Sequence, residues 1–313
     1  MMKLMIGYDG SAGSDAALDG LRHAGLPPDT QALIVSVADV MMAPENWNPE
    51  VFEPAINSPR VTSRLLLAQK QSERTLLQIK ALATRATERL RSYFPSWDVK
   101  AEVISGQPSL ELISKAEEWK PDLVVVGSHG HSAAGRLING SVTKKIVTDS
   151  NHSVRVTRGV VSKDEDDRIR ILIGVDGSTE AEQAVRAVGR RVWPSGTQVQ
   201  IVAVDNGTSP ARVARLLPTV TAMINSHNAE SAHGALRMVE WAENELSMIG
   251  LDVSTVIEKG DPRRVLIQQA QKWNADSIFV GGRRFTGAIE RFRLGSVATA
   301  LVTKAPCSVE VIR

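Results

Sequence analysis

The amino-acid sequence repeats itself once along its length. Ile6–Ser11 returns as Ile173–Ser178, and Pro121–Gly127 is matched by Ala275–Gly281. Four further blocks match in the same order: 34–37 with 201–204, 103–108 with 257–262, 140–142 with 295–297, and 152–158 with 307–313. A single repeat of this length predicts a duplicated domain, not a solenoid of short units.

Within the first half, apolar runs alternate with segments of helical periodicity. The runs predict strands at residues 3–8, 32–38, 99–104, 123–127 and 153–157. Helices are predicted between them at about 14–24, 63–93, 108–119 and 141–150. This alternation predicts an α/β fold of βαβ units, a mainly parallel five-stranded sheet with helices on both faces, in each of two tandem doubly wound domains.

The predicted domains are residues 1–158 and 168–313, joined by a solvated linker at about 159–167 that contains the charged run Lys163–Asp167. The irregular, proline-containing stretch between Val40 and Pro59 predicts a long loop in the first domain. The closing strands at 153–157 and 308–312 would lie at sheet edges. Exposed apolar edges favour pairing, which predicts an intramolecular pseudo-dimer and leaves a homodimer possible.

Composition excludes several classes of protein. A net charge of +2 and an aromatic content of 4% argue against a nucleic-acid partner. No apolar run is long enough to cross a bilayer, and Met1–Ile6 is too short for a signal peptide. The one cysteine, Cys307, allows no internal disulfide and suits the cytoplasm. We therefore expect a cytoplasmic protein with no membrane partner.

A glycine-rich segment follows the fourth predicted strand, in the pattern Gly127-x2-Gly130-x9-Gly140-Ser141. Glycine reaches positive φ at little cost and lets the backbone approach a ligand closely. The helix predicted to begin near Ser141 presents N–H groups without intrahelical partners, which carry partial positive charge. A strand, a glycine loop and a helix N-terminus together predict a phosphate site.

Asp9 after the first strand, this glycine pattern after the fourth, and the closing strand Ser153–Val156 together resemble the universal stress protein family in its tandem form. The resemblance covers nearly the whole chain. It implies an adenine-nucleotide alpha-hydrolase-like fold and a stress-response or regulatory protein that binds ATP, ADP or AMP, with or without Mg²⁺. Such ligands bind outside the carboxyl ends of the strands, where the strand order reverses.

The resemblance also implies which residues hold the nucleotide. In the first domain these are Asp9, Val37, Val126, Gly127, His129, Gly130, Gly140, Ser141 and Val142. A second, weaker site would use Asp176, Val204, Gly281, Gly295, Ser296 and Val297. The second domain is expected to bind less well because Arg284 stands where the first has Gly130, although Arg283, Arg284, Arg291 and Arg293 could attract an anion.

Several of these residues have simpler interpretations. Asp9 could only cap the first helix or form a turn with Gly10, and Ser141 could be a helix N-cap as well as a phosphate ligand. His129 and His131 suggest metal-ligand spacing, but no cysteine or carboxylate accompanies them in the loop, so no metal site is predicted. Cys307 is expected to be a buried, inert thiol.

No catalytic residue is assigned from the sequence. The phosphate-loop motif Gly-x4-Gly-Lys-Ser/Thr and the Gly-x-Ser-x-Gly elbow are both missing. Lys144 and Lys145 follow the glycine segment by one helical turn and could meet phosphates, but lysines on an exposed helix face are common. The leading hypothesis is a nucleotide-binding regulator. The alternatives are a slow ATPase that uses the same pocket, and a tandem module that acts by protein contacts without nucleotide.

Overall fold

A computed structural model of the chain describes residues 1–39, 59–128, 140–158, 168–205, 234–282 and 294–313, with the side chains of the long second helix described from residue 67. The predicted loop between Val40 and Pro59 and the predicted linker lie outside these residues almost entirely. Within the described residues no helix is long and apolar enough to cross a membrane.

The first half contains five strands and four helices in its described part. The strands are β1 (Met2–Gly7), β2 (Thr30–Ala38), β3 (Asp98–Ser105), β4 (Leu123–Gly127) and β5 (Ser153–Thr157). The helices are α1 (Ala12–Gly20), α2 (Pro59–Tyr93), α3 (Pro108–Trp119) and α4 (Ser141–Asp149), and a short 3₁₀ turn at Leu21–His23 follows α1. Each corresponds to a predicted element, with boundaries within a few residues.

The second half repeats this order. Its strands are β6 (Arg170–Val175), β7 (Gln198–Asp205), β8 (Asp252–Lys259), β9 (Ser277–Gly281) and β10 (Ser308–Ile312). Its described helices are α5 (Thr179–Gly189), α6 (described over 234–248), α7 (Pro262–Lys272) and α8 (Ser296–Lys304). The duplication inferred from the sequence is therefore a duplication of the fold.

All ten strands join one continuous sheet, in the order β3-β2-β1-β4-β5-β10-β9-β6-β7-β8. Pairing is parallel within each half, whereas β5 and β10 pair antiparallel at the centre. The prediction that the closing strands unite the halves is confirmed. In each half the strand order reverses between the first and fourth strands, β1 and β4 or β6 and β9.

Apolar side chains cover both faces of this sheet, as a parallel sheet requires. On one face a single core runs through both halves and includes Val154 and Val156 of β5 with Val309 and Val311 of β10. The opposite face carries two separate cores, one in each half, that include residues of α1 and α2 or of α5 and α6. The central strands thus help to form one shared core.

The last arginine of each closing segment binds the other half. Arg158 Nη2 donates to the carbonyl oxygens of Val302 and Thr303 at 2.9 and 3.0 Å, at the C-terminal end of α8. Arg313 donates to the carbonyl of Val147 in α4 and to that of His152. A guanidinium at a helix C-terminus satisfies carbonyls that lack intrahelical partners. The two contacts are related by the pseudo-twofold symmetry of the repeat.

Candidate functional site

The switch point of the first half brings several of the predicted site residues to one edge of the sheet. Since β1 pairs parallel with both β2 and β4, the residues that follow these strands lie side by side. Asp9 follows β1, Val37 is near the end of β2, and Val126 and Gly127 end β4. A crevice outside the carboxyl ends of strands at such a point is where open α/β sheets bind ligands.

Asp9 forms a turn that holds the start of α1. Its Oδ1 accepts hydrogen bonds from the Ser11 amide at 3.0 Å and from the Ser11 hydroxyl at 2.5 Å. The cap of α1 is Ser11, whose Oγ accepts from the Ser14 amide. Gly10 has φ +76°, a conformation that favours glycine. The turn interpretation of Asp9 is therefore correct, and the side chain is also exposed at the sheet edge.

Gly127 is required by packing within the protein. A Cβ at this position would collide with the carbonyl of Gly13 and would lie 2.9 Å from the amide nitrogen of Ser14, at the start of α1. Real Cβ atoms do not approach backbone so closely, so any larger residue would push α1 away from β4. Gly127 does not have positive φ either. The expectation that the glycines serve positive φ is wrong for Gly127, whose role is close helix–strand packing.

The start of α4 differs from the expectation in one residue. Gly140, not Ser141, is the N-cap, with extended backbone at φ −71° and ψ 108°. The N-cap interpretation of Ser141 is wrong because this serine already lies inside the helix, where its side chain is exposed. Gly140 has no side chain and no side-chain hydrogen bond caps α4. Gly140 therefore does not occupy the first N–H groups of α4, which are the kind of donors that bind water or an anion.

Thr143 was not singled out from the sequence, yet it connects two predicted parts of the site. Its Oγ1 donates a hydrogen bond of 2.7 Å to the carbonyl oxygen of Gly127, and the side chain is buried. This bond fixes the first turn of α4 against the end of β4. The only hint in the sequence was a threonine three residues after the glycine that begins the helix. The sequence did not show that its hydroxyl would donate to the Gly127 carbonyl.

The second half reproduces this geometry with a few substitutions. Asp176 Oδ1 accepts from the Ser178 amide and hydroxyl at 3.1 and 2.5 Å, as Asp9 does from Ser11. A Cβ at Gly281 would lie 2.6 Å from the carbonyl oxygen of Glu180. Gly295 is the N-cap of α8, again without a side-chain cap, and it is followed by exposed Ser296.

A cavity of about 770 Å³ opens beside the start of α8 in the second half. It is lined by Asp205, Lys259, Gly260, Asp261, Pro262, Arg263, Ser296 and Val297. The carboxylate of Asp261 caps α7 and binds the Arg263 guanidinium through Nε at 2.9 Å and Nη2 at 2.6 Å. Hydrogen bonding from Arg263 lowers the pKa of Asp261, so this carboxylate stays ionised. Val204 lies next to Asp205 at the end of β7, and its side chain packs against the shared core.

Some predicted residues lie outside the described part of the chain. These are His129, Gly130, His131, Arg283, Arg284, Arg291 and Arg293. Among the residues that the structure describes, no group of three His, Cys, Asp or Glu side chains could hold a metal ion. Cys307 is a buried free thiol, as expected.

Comparison with known proteins settles the family. The model of the Universal stress protein family matches residues 1–158 and 168–313, which are the two halves described above. The chain belongs to the universal stress protein family. A universal stress protein of Mycolicibacterium smegmatis is 25% identical over 314 residues, which cover 99% of this chain and 96% of that protein. One from Methanocaldococcus jannaschii is 28% identical over 161 residues, 50% of this chain and 81% of that protein.

Solved structures show the same fold. A universal stress protein from Archaeoglobus fulgidus aligns with a TM-score of 0.59 and 19% identity, covering 99% of this chain and 96% of that one. A protein from Pseudomonas aeruginosa described as a putative universal stress protein aligns with a TM-score of 0.56 and 13% identity, covering 100% and 93%. The fold of the whole chain is thus shared by nearly the full length of both solved structures.

The two halves of this universal stress protein differ at the start of their last helices. Position for position, Thr143, Lys144 and Lys145 in α4 correspond to Ala298, Thr299 and Ala300 in α8. The second half therefore lacks the hydrogen bond from this helix to the preceding strand. It also lacks both lysines, and Thr299 instead bonds the Gly295 carbonyl at 3.0 Å.

Proposed function

We propose that this protein binds an adenine nucleotide and acts as a stress-response regulator, holding the nucleotide mainly in its first half. The observation that carries the proposal is the start of α4, whose N-cap is a glycine without a capping side chain and which Thr143 fixes beside the end of β4. Helix N-termini of this kind bind phosphate because free N–H groups and the helix dipole both favour an anion. The family and its glycine pattern supply the adenine nucleotide as the ligand.

Each site residue then has a distinct role. Asp9 and Val37 would lie beside the adenine and ribose. The ribose and the first phosphates would be lined by Val126, Gly127, His129 and Gly130. Gly140, Ser141 and Val142 would receive the end of the phosphate chain, with exposed Lys144 one turn further along. Any accompanying Mg²⁺ would be held chiefly by the phosphates, since the described residues form no metal cluster.

The preference for the first half rests on residues around α4. Thr143 orders the helix start there, and Lys144 and Lys145 add positive charge at helix positions where the second half has Thr299 and Ala300. The second half could also attract an anionic ligand, because Lys259 and Arg263 line a cavity large enough for a nucleotide. Arg263 is already paired with Asp261, which reduces its capacity to bind phosphate.

Matched variants of the full chain test both parts of the proposal. Ser141→Asp places a carboxylate in the first turn of α4, where it stabilises the helix but repels a phosphate. Ser296→Asp makes the same change at the equivalent exposed position in α8. Binding of ATP is measured by calorimetry, and thermal unfolding of each variant is measured in parallel to separate binding from stability.

We expect Ser141→Asp to weaken ATP binding at least about tenfold with no loss of thermal stability. Ser296→Asp should leave the tighter site unchanged. The reverse pattern would show that the second half is the main site. An unmodified protein that gives no heat at millimolar ATP would refute nucleotide binding and would favour a module that acts by protein contacts. ADP that accumulates in proportion to protein, and not with Ser141→Asp, would identify the slow ATPase.

A further inference from the structure

The centre of the ten-stranded sheet places two residues of opposite charge on the pseudo-twofold axis. The repeat aligns Arg155 in β5 with Glu310 in β10. In the antiparallel register of these strands, Glu310 also lies directly opposite Arg155. Arg155 and Glu310 are therefore equivalent positions of the two halves that face each other across the axis. The pseudo-twofold symmetry is broken at this pair because one residue is positive and the other is negative.

These two side chains are buried, at 1% and 0% exposure. Arg155 Nη1 donates to Glu310 Oε2 at 3.1 Å, and Arg191, which follows α5, donates to Glu310 Oε1. The Arg191 side chain is itself only 5% exposed, and its other nitrogen donates to the Ala24 carbonyl at 2.7 Å. The three charges form one desolvated cluster at the face of the sheet opposite the shared valine core.

A second break in symmetry lies next to this cluster. Gly25 in the first half corresponds to Val192 in the second, and the Val192 amide donates to the Gly25 carbonyl at 2.9 Å. Gly25 has φ +60°, and a Cβ there would lie 2.6 Å from Cδ2 of the Trp193 ring. The indole of Trp193 therefore fits against the first half because that half has a glycine at this position.

We propose that the β5–β10 seam is a heterotypic interface, which accepts one first half and one second half and rejects pairs of like halves. In a pair of first halves, two buried Arg155 side chains would meet on the axis, and Ala24 would stand where the second half has Arg191. In a pair of second halves, Trp193 would meet Val192 in place of Gly25. The partner that fits this surface is the complementary half of this chain.

The physical basis is the high cost of burying unpaired or like charges, and of forcing a ring into an occupied space. Specificity of this kind comes from what the interface excludes as well as from what it binds. The inference concerns pairing only and does not depend on whether either half binds nucleotide.

The test begins with the full chain, which carries a protease site inserted within 159–167. The chain is cleaved after folding and kept under native conditions, and isotope-labelled and unlabelled cleaved protein are mixed until pairs of intermediate mass show that the halves have exchanged. Native mass spectrometry then counts the three kinds of pair. Random pairing would give twice as many mixed pairs as either like pair. We expect at least about tenfold fewer like pairs than random pairing gives. Like pairs at the random frequency would overturn the proposal.

Two variants identify the cause. Arg155→Leu removes the charge from the first half, while Glu310 keeps Arg191 as its partner, so pairs of first halves should now appear. Arg158→Met is the matched control, because it removes the symmetric contact to Val302 and Thr303 without changing the charge on the axis. It should weaken the mixed pair without producing like pairs. If Arg155→Leu gives no more first-half pairs than Arg158→Met does, charge at the axis is not the determinant. The count on the unmodified chain decides the proposal even if a variant fails to fold.

Discussion

Thr143 Oγ1 lies 2.7 Å from the carbonyl oxygen of Gly127, and this hydrogen bond joins the first turn of α4 to the last residue of β4. The segment between these two residues carries most of the predicted phosphate-binding pattern. The bond therefore fixes the two ends of that segment relative to one another. The position of the candidate site depends on a side chain that the ligand itself need not contact.

Replacement of Thr143 by Val should destabilise the protein by about 1–3 kcal/mol, because it leaves the Gly127 carbonyl without this donor in a partly buried position. Thr148→Val is the control, since its hydroxyl makes only an exposed bond to the Lys144 carbonyl within the same helix. Urea unfolding of both variants gives the comparison. Equal stability of the two would show that the Thr143 bond does not hold the helix in place.

Gly127→Ala should also destabilise the protein, by about 1–3 kcal/mol, because its Cβ would collide with the Gly13 carbonyl. Gly295→Ala is a suitable control, because no described atom lies within 4 Å of a Cβ built there and its φ of −57° is open to any residue. Thermal unfolding measures the difference. A Gly127→Ala protein as stable as the control would contradict the close packing of α1 on β4.

Glu310→Gln should destabilise the protein by about 3–5 kcal/mol, because two buried guanidiniums would lose their common counter-ion. Replacement of half-buried Glu182 by Gln, which removes its i,i+4 ion pair with Arg186 on α5, should cost less than about 1 kcal/mol. Chemical denaturation of both proteins tests the contrast. Costs of similar size would mean that Glu310 does not neutralise the buried arginines.

Stability should fall at alkaline pH through Cys307. Burial raises the pKa of the Cys307 thiol from its ordinary 9.0 to about 12, so the folded state holds the proton more tightly than the unfolded state does. This contribution is complete below pH 9 and is lost as the pH rises from 9 towards 12. The unmodified protein should therefore lose stability relative to Cys307→Ala across that interval. A constant difference between the two proteins would refute the assignment.

Tyr8 acts in an overlapping but higher interval. Burial, followed by a hydrogen bond to Asp15, raises the pKa of Tyr8 from 10.0 to about 12. Its contribution is therefore lost only above pH 10, and Tyr8→Phe separates it from that of Cys307. Between pH 9 and 10 we expect the free energy of unfolding of Tyr8→Phe to change with pH as steeply as that of the unmodified protein. The free energy of unfolding of Cys307→Ala should change with a different slope.

The sequence was sufficient to predict the order of elements and the union of the halves. Strand periodicity and the repeat located β5 and β10, and an apolar closing strand at a sheet edge implied a partner. The sequence could not show that Arg191 reaches Glu310, because 119 residues separate them and the contact depends on how α5 lies against the central strands. Long-range contacts of this kind follow from the assembled fold.

Glycine was the residue type most open to misinterpretation. The missing Cβ of glycine can allow a positive φ, close packing or close approach of a ligand. The sequence alone does not distinguish among these roles. In the structure Gly10 has a positive φ, and Gly127 packs closely against the start of α1. Gly140 is the N-cap of α4, where a Cβ would lie 3.3 Å from Thr143 Oγ1. The same residue type therefore has a different structural role at each of the three positions.

The antiparallel pairing of β5 with β10 has a consequence for any partner protein that binds near the candidate pockets. Because the strands of the two halves run in opposite directions, their two candidate pockets open on opposite sides of the molecule, with the width of the sheet between them. A binding partner with a flat surface would therefore contact one pocket at a time. Within the described residues the halves are joined by β5 and β10, by Arg158 and Arg313, and by the contact of Gly25 with Trp193. Coupling between the pockets through these residues would pass by the buried charges at the centre of the sheet.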